Sequence, residues 1–283
     1  MKKILLFVVS LMICHPLIAD SDLSALKQQI EKNIPQGKEK ISLSFIDIVT
    51  GETLGVEDSI LFNPASVIKV PVMVEAYIQA NEGRFLFSDK LIIKQSDKVY
   101  GAGPMYFQKN GQAFTIQYLV ECMIHYSDNT ATKMLIEYLG KDRINASMRK
   151  LGLTKTVIGN SNLLKAQGLN FSSTKDMSIL LIKLSKGEIV STEACAEMVT
   201  LMAKQKYRWG IPHSVPKGVV VADKTGTLNG IKHDCGIVFN KNSPYVLSIF
   251  TSNFNSVADA KQRILKISEV VFAWASTRDH SEK

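Results

Sequence analysis

Cysteine and histidine are both scarce here, four and five among 283 residues, and none of them stands at metal-ligand spacing. His125, His213 and His233 are scattered, so no metal centre is expected and no cofactor is implied. No basic stripe interleaves with aromatic residues, which argues against nucleic acid as a partner. Beyond the first nineteen residues no apolar run is long enough to span a bilayer, so stable membrane insertion is not expected. Internal repeats and low-complexity runs are missing too, which sets aside solenoid and tail-like architectures. One absence carries chemical weight: between Asp142 and Asp176 there is no Asp or Glu.

What is present begins with a leader. Lys2 and Lys3 precede an almost unbroken apolar stretch from Ile4 to Cys14, and Leu17-Ile18-Ala19 offers a cleavage site. Residues 1–19 read as a secretory signal peptide, too short to span a bilayer comfortably. Cys14 raises a lipoprotein signal as a rival, but Ile13 stands where that signal wants a small side chain. The expected product is therefore a secreted or periplasmic monomer. Cleavage leaves Cys122, Cys195 and Cys235, an odd number that permits at most one internal bridge. Cys122 and Cys235 lie in apolar runs and read as buried thiols. The mature chain keeps 32 basic against 26 acidic side chains, a solvated basic exterior.

With 46% apolar residues the chain can bury one large core or two abutting lobes. Residues 24–33 read as a helix ended by Pro35 and Gly37, and 41–48 alternate as a half-buried strand. Asn63-Pro64 introduces an apolar helix over 65–80, with Pro71 in its second turn as a kink. Residues 116–125, 129–139, 144–151, 175–186 and 192–204 carry apolar residues at helical spacing. From Lys217 three antiparallel strands follow (218–223, 234–240 and 245–251), then a closing helix over 257–275. The expected fold is α+β and two-lobed, an antiparallel sheet assembled from both termini and flanked by helices. An α/β lobe (20–65 and 205–283) then receives an inserted all-helical lobe (66–204) within one catalytic domain.

Three motifs fall where those lobes meet. Ser-x-x-Lys occurs five times, but only Ser66-Val-Ile-Lys69 opens a strongly apolar helix just after a proline. There the helix dipole favours charge developing on Ser66. The three-residue spacing puts Lys69 one turn deeper on the same face. A buried lysine near a second lysine has a lowered pKa, so Lys69 can take the serine proton as a neutral amine. Ser127-Asp128-Asn129 occurs once, between two helical segments. Ser127 can relay a proton to a leaving nitrogen, Asn129 can hold a substrate amide, and Asp128 can tie down the loop. Lys224-Thr225-Gly226-Thr227 follows β-branched residues. Lys224 and Thr225 suit a substrate carboxylate, and Gly226 lets a substrate lie along the strand edge. The N–H groups of Ser66 and Thr227 form an oxyanion hole, worth ~3–4 kcal/mol per donor in serine hydrolases. Taken singly, each motif is as well explained by a helix cap or a strand end.

In this order and on these elements, the motifs carry the signature of serine acyl transfer. Over about residues 40–275 the chain resembles the class A branch of the penicillin-recognising serine hydrolases. The resemblance implies a DD-peptidase/β-lactamase-like fold, a Ser66 acyl-enzyme, and β-lactams or D-Ala-D-Ala peptides as partners. Tyr100, upstream of the Ser127 loop, is then the expected aromatic wall. The chain departs from the family at the Glu-x-x-Leu-Asn motif that activates the deacylating water. Leu169-Asn170 match its end, but Ala166 takes the glutamate position. Three readings follow: a class A-like β-lactamase slow to deacylate, a D,D-peptidase or other cell-wall peptidase, or a non-hydrolytic penicillin-binding sensor.

Overall fold

The computed structural model describes residues 18–165, 169–241 and 243–278. The expected signal peptide lies outside them, Cys14 included, except that Ile18 and Ala19 begin α1 (Ile18–Glu31). The alternating run becomes β1 (Lys40–Asp47) and turns back into β2 (Thr53–Val56). Asp47 makes that turn, its Oδ1 accepting the N–H groups of Val49 and Thr50 at 2.9 Å each.

The chain then leaves the sheet. It forms α2 (Lys69–Asn81), β3 (Lys90–Ile92), β4 (Ala113–Thr115), α3 (Ile116–His125), α4 (Asn129–Leu139) and α5 (Lys141–Lys150). After the loop come α6 (Thr174–Ser185) and α7 (Thr192–Ala203). It returns as β5 (Val220–Leu228), β6 (Ile231–Phe239) and β7 (Tyr245–Ser252), and α8 (Val257–Ser276) closes it. The strands order as β2-β1-β7-β6-β5, every pairing antiparallel. β1 pairs with β7 from Lys40 opposite Ser252 to Asp47 opposite Tyr245, so both ends of the chain build one sheet. That leaves β5 as an edge, facing the excursion.

Two apolar cores lie on opposite faces of the sheet, because alternate side chains of each strand point opposite ways. Leu43, Phe45 and Leu247 meet Leu26 and Ile30 of α1 and Ile264 and Val271 of α8. Ala222, Ile237, Val246 and Phe250 join the helices of the excursion, with α2 central. The helix α6 rests on this inner face through small polar side chains. Ser42 meets Thr174 at 2.7 Å, and Ser178 donates to Ser248 at 2.9 Å. Among the described residues no helix is long and apolar enough to cross a membrane.

Three expectations need correcting. The excursion is not all-helical, since β3 and β4 pair from Lys90–Thr115 to Ile92–Ala113. Three-residue strands twenty residues apart leave too little alternation to read. The helix expected over 65–80 begins as a 3₁₀ turn, Ala65–Ile68, with α2 starting only at Lys69. Pro71 therefore lies in the first turn of α2, where a missing amide N–H costs little. Finally, Lys224 to Gly226 fall within β5 rather than after a strand.

Candidate active site

Ser66 is presented by a strained turn. Ala65 takes a left-handed φ of 48°, and Asn63 Oδ1 accepts the Ala65 N–H at 3.0 Å. His233 of β6 fixes the same segment: its Nε2 lies 2.8 Å from the Asn63 carbonyl, while its Nδ1 lies 2.8 Å from the Lys232 carbonyl and 3.1 Å from Thr251 N. Burial lowers the His233 pKa to about 4, so the ring is neutral. A Cβ on Gly226 would sit 3.0 Å from the Pro64 carbonyl and 3.3 Å from Ser66 N. Gly226 thus lets the edge strand dock on the Ser66 turn, a nearer reason for glycine than room for substrate.

Lys69 lies fully buried beneath Ser66. Its Nζ is 3.0 Å from Ser66 Oγ, 3.0 Å from Ser127 Oγ and 3.0 Å from Asn129 Oδ1, and also contacts the Ser127 carbonyl. The two carbonyl oxygens can only accept and so take two N–H bonds. What remains of a neutral amine is a lone pair facing two hydroxyls. Burial, then the charge of Lys224, pushes the Lys69 pKa well down, against an opposing pull from Asp128. Neutral Lys69 is the form these surroundings favour.

Ser127 projects from a second left-handed residue, φ 54°, between α3 and α4. Asp128 caps α4 by accepting Ala131 N–H at 2.8 Å and holds the neighbouring loop by accepting Met105 N–H at 2.7 Å. Burial raises its pKa. Asn129 is buried: besides the Lys69 bond its Nδ2 donates to the Tyr100 carbonyl at 3.3 Å, leaving one N–H for a substrate.

Lys224 reaches Ser127 from the sheet side. Its Nζ donates to Ser127 Oγ at 3.1 Å, Gln205 Oε1 at 3.1 Å and its neighbour's carbonyl at 3.0 Å. Burial lowers its pKa to about 8, while Asp223 and Asp234 oppose the fall. Gln205 had no signal in the sequence. Its Oε1 also accepts from Thr225 N–H at 3.1 Å and from Thr225 Oγ1 at 3.0 Å, and its Nε2 donates to Asp223. Asp223 pairs with Arg208 at 3.0 Å. Burial and then the neighbouring Asp234 raise the Asp223 pKa well above its ordinary value, while Arg208 and Lys224 oppose the rise.

These side chains converge on a cleft of about 230 Å³ lined by Ser66, Ala102, Ser127, Tyr207, Trp209, Thr225 and Thr227. Tyr100 is absent from that lining. Its ring is 68% exposed and packs edge-on against Tyr106, 5.3 Å away. The aromatic wall comes instead from Tyr207 and Trp209, the latter covered by Lys232 Nζ at 3.7 Å from its ring. No spacing rule reaches these two, because the segment after α7 becomes a wall only when β5 docks beside it.

The loop that carries Asn160 to Asn170 is pinned at its neck. Asn170 Oδ1 accepts Gly159 N–H at 2.8 Å and Asn160 N–H at 2.9 Å, and Phe171 bridges to Val157. Ala166, the residue at the glutamate position, lies outside the described residues. Cys122, Cys195 and Cys235 are buried free thiols.

Fold and site together define a serine hydrolase of the β-lactamase-like type. The model of the β-lactamase enzyme family matches residues 25–275, and the chain belongs to that family. Among curated relatives, β-lactamase BRO-1 of Moraxella catarrhalis is 25% identical over 198 residues, which is 65% of this chain and 62% of that protein. β-Lactamase CTX-M-97 of Escherichia coli is 24% identical over 86% of each chain. Among solved structures, PBP-A superposes with a TM-score of 0.86 at 28% identity, over 90% of this chain and 97% of that one. A variant of PBP-A, solved as an acyl-enzyme complex with penicillin G, superposes at 0.84 with 26% identity, over 92% of this chain and 98% of that one.

Proposed function

We propose that this protein is a secreted, monomeric class A-type serine β-lactamase that acylates readily on Ser66 and releases the acyl group slowly. The observation that carries the reading is the buried Lys69 Nζ, which meets the Ser127 and Asn129 carbonyl oxygens and lies 3.0 Å from the hydroxyls of Ser66 and Ser127, a setting suited to a neutral amine whose lone pair faces those hydroxyls. Ser66 Oγ attacks the lactam carbonyl as its proton passes to Lys69 Nζ. The N–H groups of Ser66 and Thr227 receive the oxyanion. As the C–N bond breaks, Ser127 Oγ gives its proton to the leaving nitrogen and is reprotonated from Lys69. Lys224 and Thr225 hold the substrate carboxylate.

Hydrolysis then needs a base for water. Residues 143–175 contain no carboxylate, and general-base catalysis typically contributes ~10²–10⁴-fold. A long-lived acyl-enzyme is the consequence. The same absence favours a second reading, a D,D-peptidase whose acyl group comes from a D-Ala-D-Ala stem peptide. Intact-protein mass spectrometry after brief and long exposure to penicillin separates the cases. The expected adduct has the mass of penicillin, maps to the Ser66 peptide, disappears in Ser66→Ala and decays slowly. An adduct that never decays, together with D-alanine release from stem peptides, favours the peptidase. No adduct at all ends both readings. Ala166→Glu should shorten the adduct's lifetime by at least about tenfold.

A further inference from the structure

A larger cavity, about 600 Å³, opens beside the cleft. Its walls are Gly103, Pro104, Tyr118, Glu121, Cys122, His125, Tyr126 and Tyr207. Three of these join it to the cleft. Tyr207 lines both spaces, Gly103 follows Ala102, and Tyr126 precedes Ser127. The two spaces therefore share a partition made of Tyr207 and the loop ends. Ser66, Thr225 and Thr227 line only the smaller one, so the larger lies beyond Ser127 and away from the nucleophile.

That position has a chemical meaning, which rests on the proposed function. If Ser66 holds the acyl carbon and Ser127 protonates the departing nitrogen, whatever is attached to that nitrogen extends past Ser127. The cavity is on the amine side of the scissile bond. Its chemistry is uneven. The rings of Tyr118, Tyr126 and Tyr207 are 40–42% exposed and free to be covered further. Glu121 supplies a carboxylate, its Oε1 touched only by the Gln117 amide at 3.0 Å. His125 Nε2 is shielded from water and has no hydrogen-bond partner. Burial, opposed by Glu121 and aided by Lys204 and Lys206, lowers the His125 pKa, so that ring adds no positive charge. Among the lining side chains the formal charge is that of Glu121, while the exposed Lys204 and Lys206 act on His125 from behind the wall. Tyrosine faces beside one carboxylate suit a planar cationic group.

We propose that this cavity is a subsite for the amine-side part of the substrate and selects a planar, positively charged group there. Carried into the amide chemistry of the cleft, it favours β-lactams or peptides whose leaving side bears such a cation over those with small neutral ones.

Two cephalosporins differing only at the 3′ position, pyridiniomethyl against acetoxymethyl, test this by the rate of Ser66 acylation at low ionic strength. The native protein should acylate at least about fivefold faster with the pyridinium compound. Glu121→Gln and Tyr126→Ala should each bring that ratio to about one while leaving acylation by the acetoxymethyl compound within about twofold. Benzylpenicillin serves as the control without a 3′ group. If it acylates Ser66 normally and the two cephalosporins react alike in the native protein, the subsite is wrong and the proposed function stands. If none of the three acylates Ser66, the proposed function fails and the subsite falls with it. A ratio that persists unchanged in both variants also overturns the subsite.

Discussion

The two walls of the cleft each bury a lysine completely, yet they surround it with different neighbours. On the helix side Lys69 sits among carbonyl and hydroxyl oxygens, with Asp128 opposing its loss of charge only weakly. On the strand side Lys224 stands over Asp223 and Asp234, with Gln205 and Arg208 completing the network. Burial depresses both amines, but the acids hold Lys224 at about 8, so it remains largely cationic at neutral pH. In the proposed mechanism one lysine is the base and the other the anchor. Burial is the largest cause of both shifts, and the neighbouring charges set the difference between them.

That contrast can be broken. Lys69→Met should lower the Ser66 acylation rate most, by ~10²–10⁴-fold, with penicillin affinity before acylation nearly unchanged. Stopped-flow acylation at several penicillin concentrations separates the two quantities. Lys224→Met should instead weaken binding of carboxylate-bearing substrates by about 10–100-fold, the value of a charged hydrogen bond. If the two variants lost rate and affinity in the same proportion, the division of labour would be wrong.

The pH profile sharpens it further. Protonating Lys69 removes its lone pair, so acylation should fall as pH drops through its depressed pKa. Deprotonating Lys224 removes the anchor, so acylation should also fall above about pH 8. Because the Lys224 charge is one of the terms that depress Lys69, Lys224→Met should shift the acid limb to higher pH. A limb that stayed in place would mean the amines do not sense each other. The smallest effect is structural: Gln205→Leu, which strands Lys224 and the Thr225 hydroxyl, should cost about 1–3 kcal/mol of stability. Urea denaturation reads it directly.

Much of this was legible in the sequence. The helices over 116–125 and 129–139 stand where their apolar spacing put them. The three C-terminal strands pair antiparallel as expected, with β5 and β6 each nine residues long against six and seven. Ser66, Lys69, Ser127 and Lys224 come within a few ångströms of one another. Tyr100, expected as the aromatic wall, is exposed against Tyr106 and is not among the residues lining the cleft. Gln205, Tyr207 and Trp209 were invisible in the sequence. They belong to no motif, and they meet Lys224, Thr225 and Ser66 only because an edge strand docks against the turn at Ala65.

Residue order alone determined which chemical groups exist: a serine at the start of an apolar helix, a lysine one turn on, a hydroxyl loop and an ammonium on a strand of β-branched residues. Periodicity and spacing are local, so they can be read without coordinates. Charge state, aromatic lining and the space beyond Ser127 belong to the tertiary structure. Each depends on segments separated in the chain coming together, 19 residues apart for Gln205 and Lys224 and 97 for Ser127 and Lys224, and on the water that their meeting excludes.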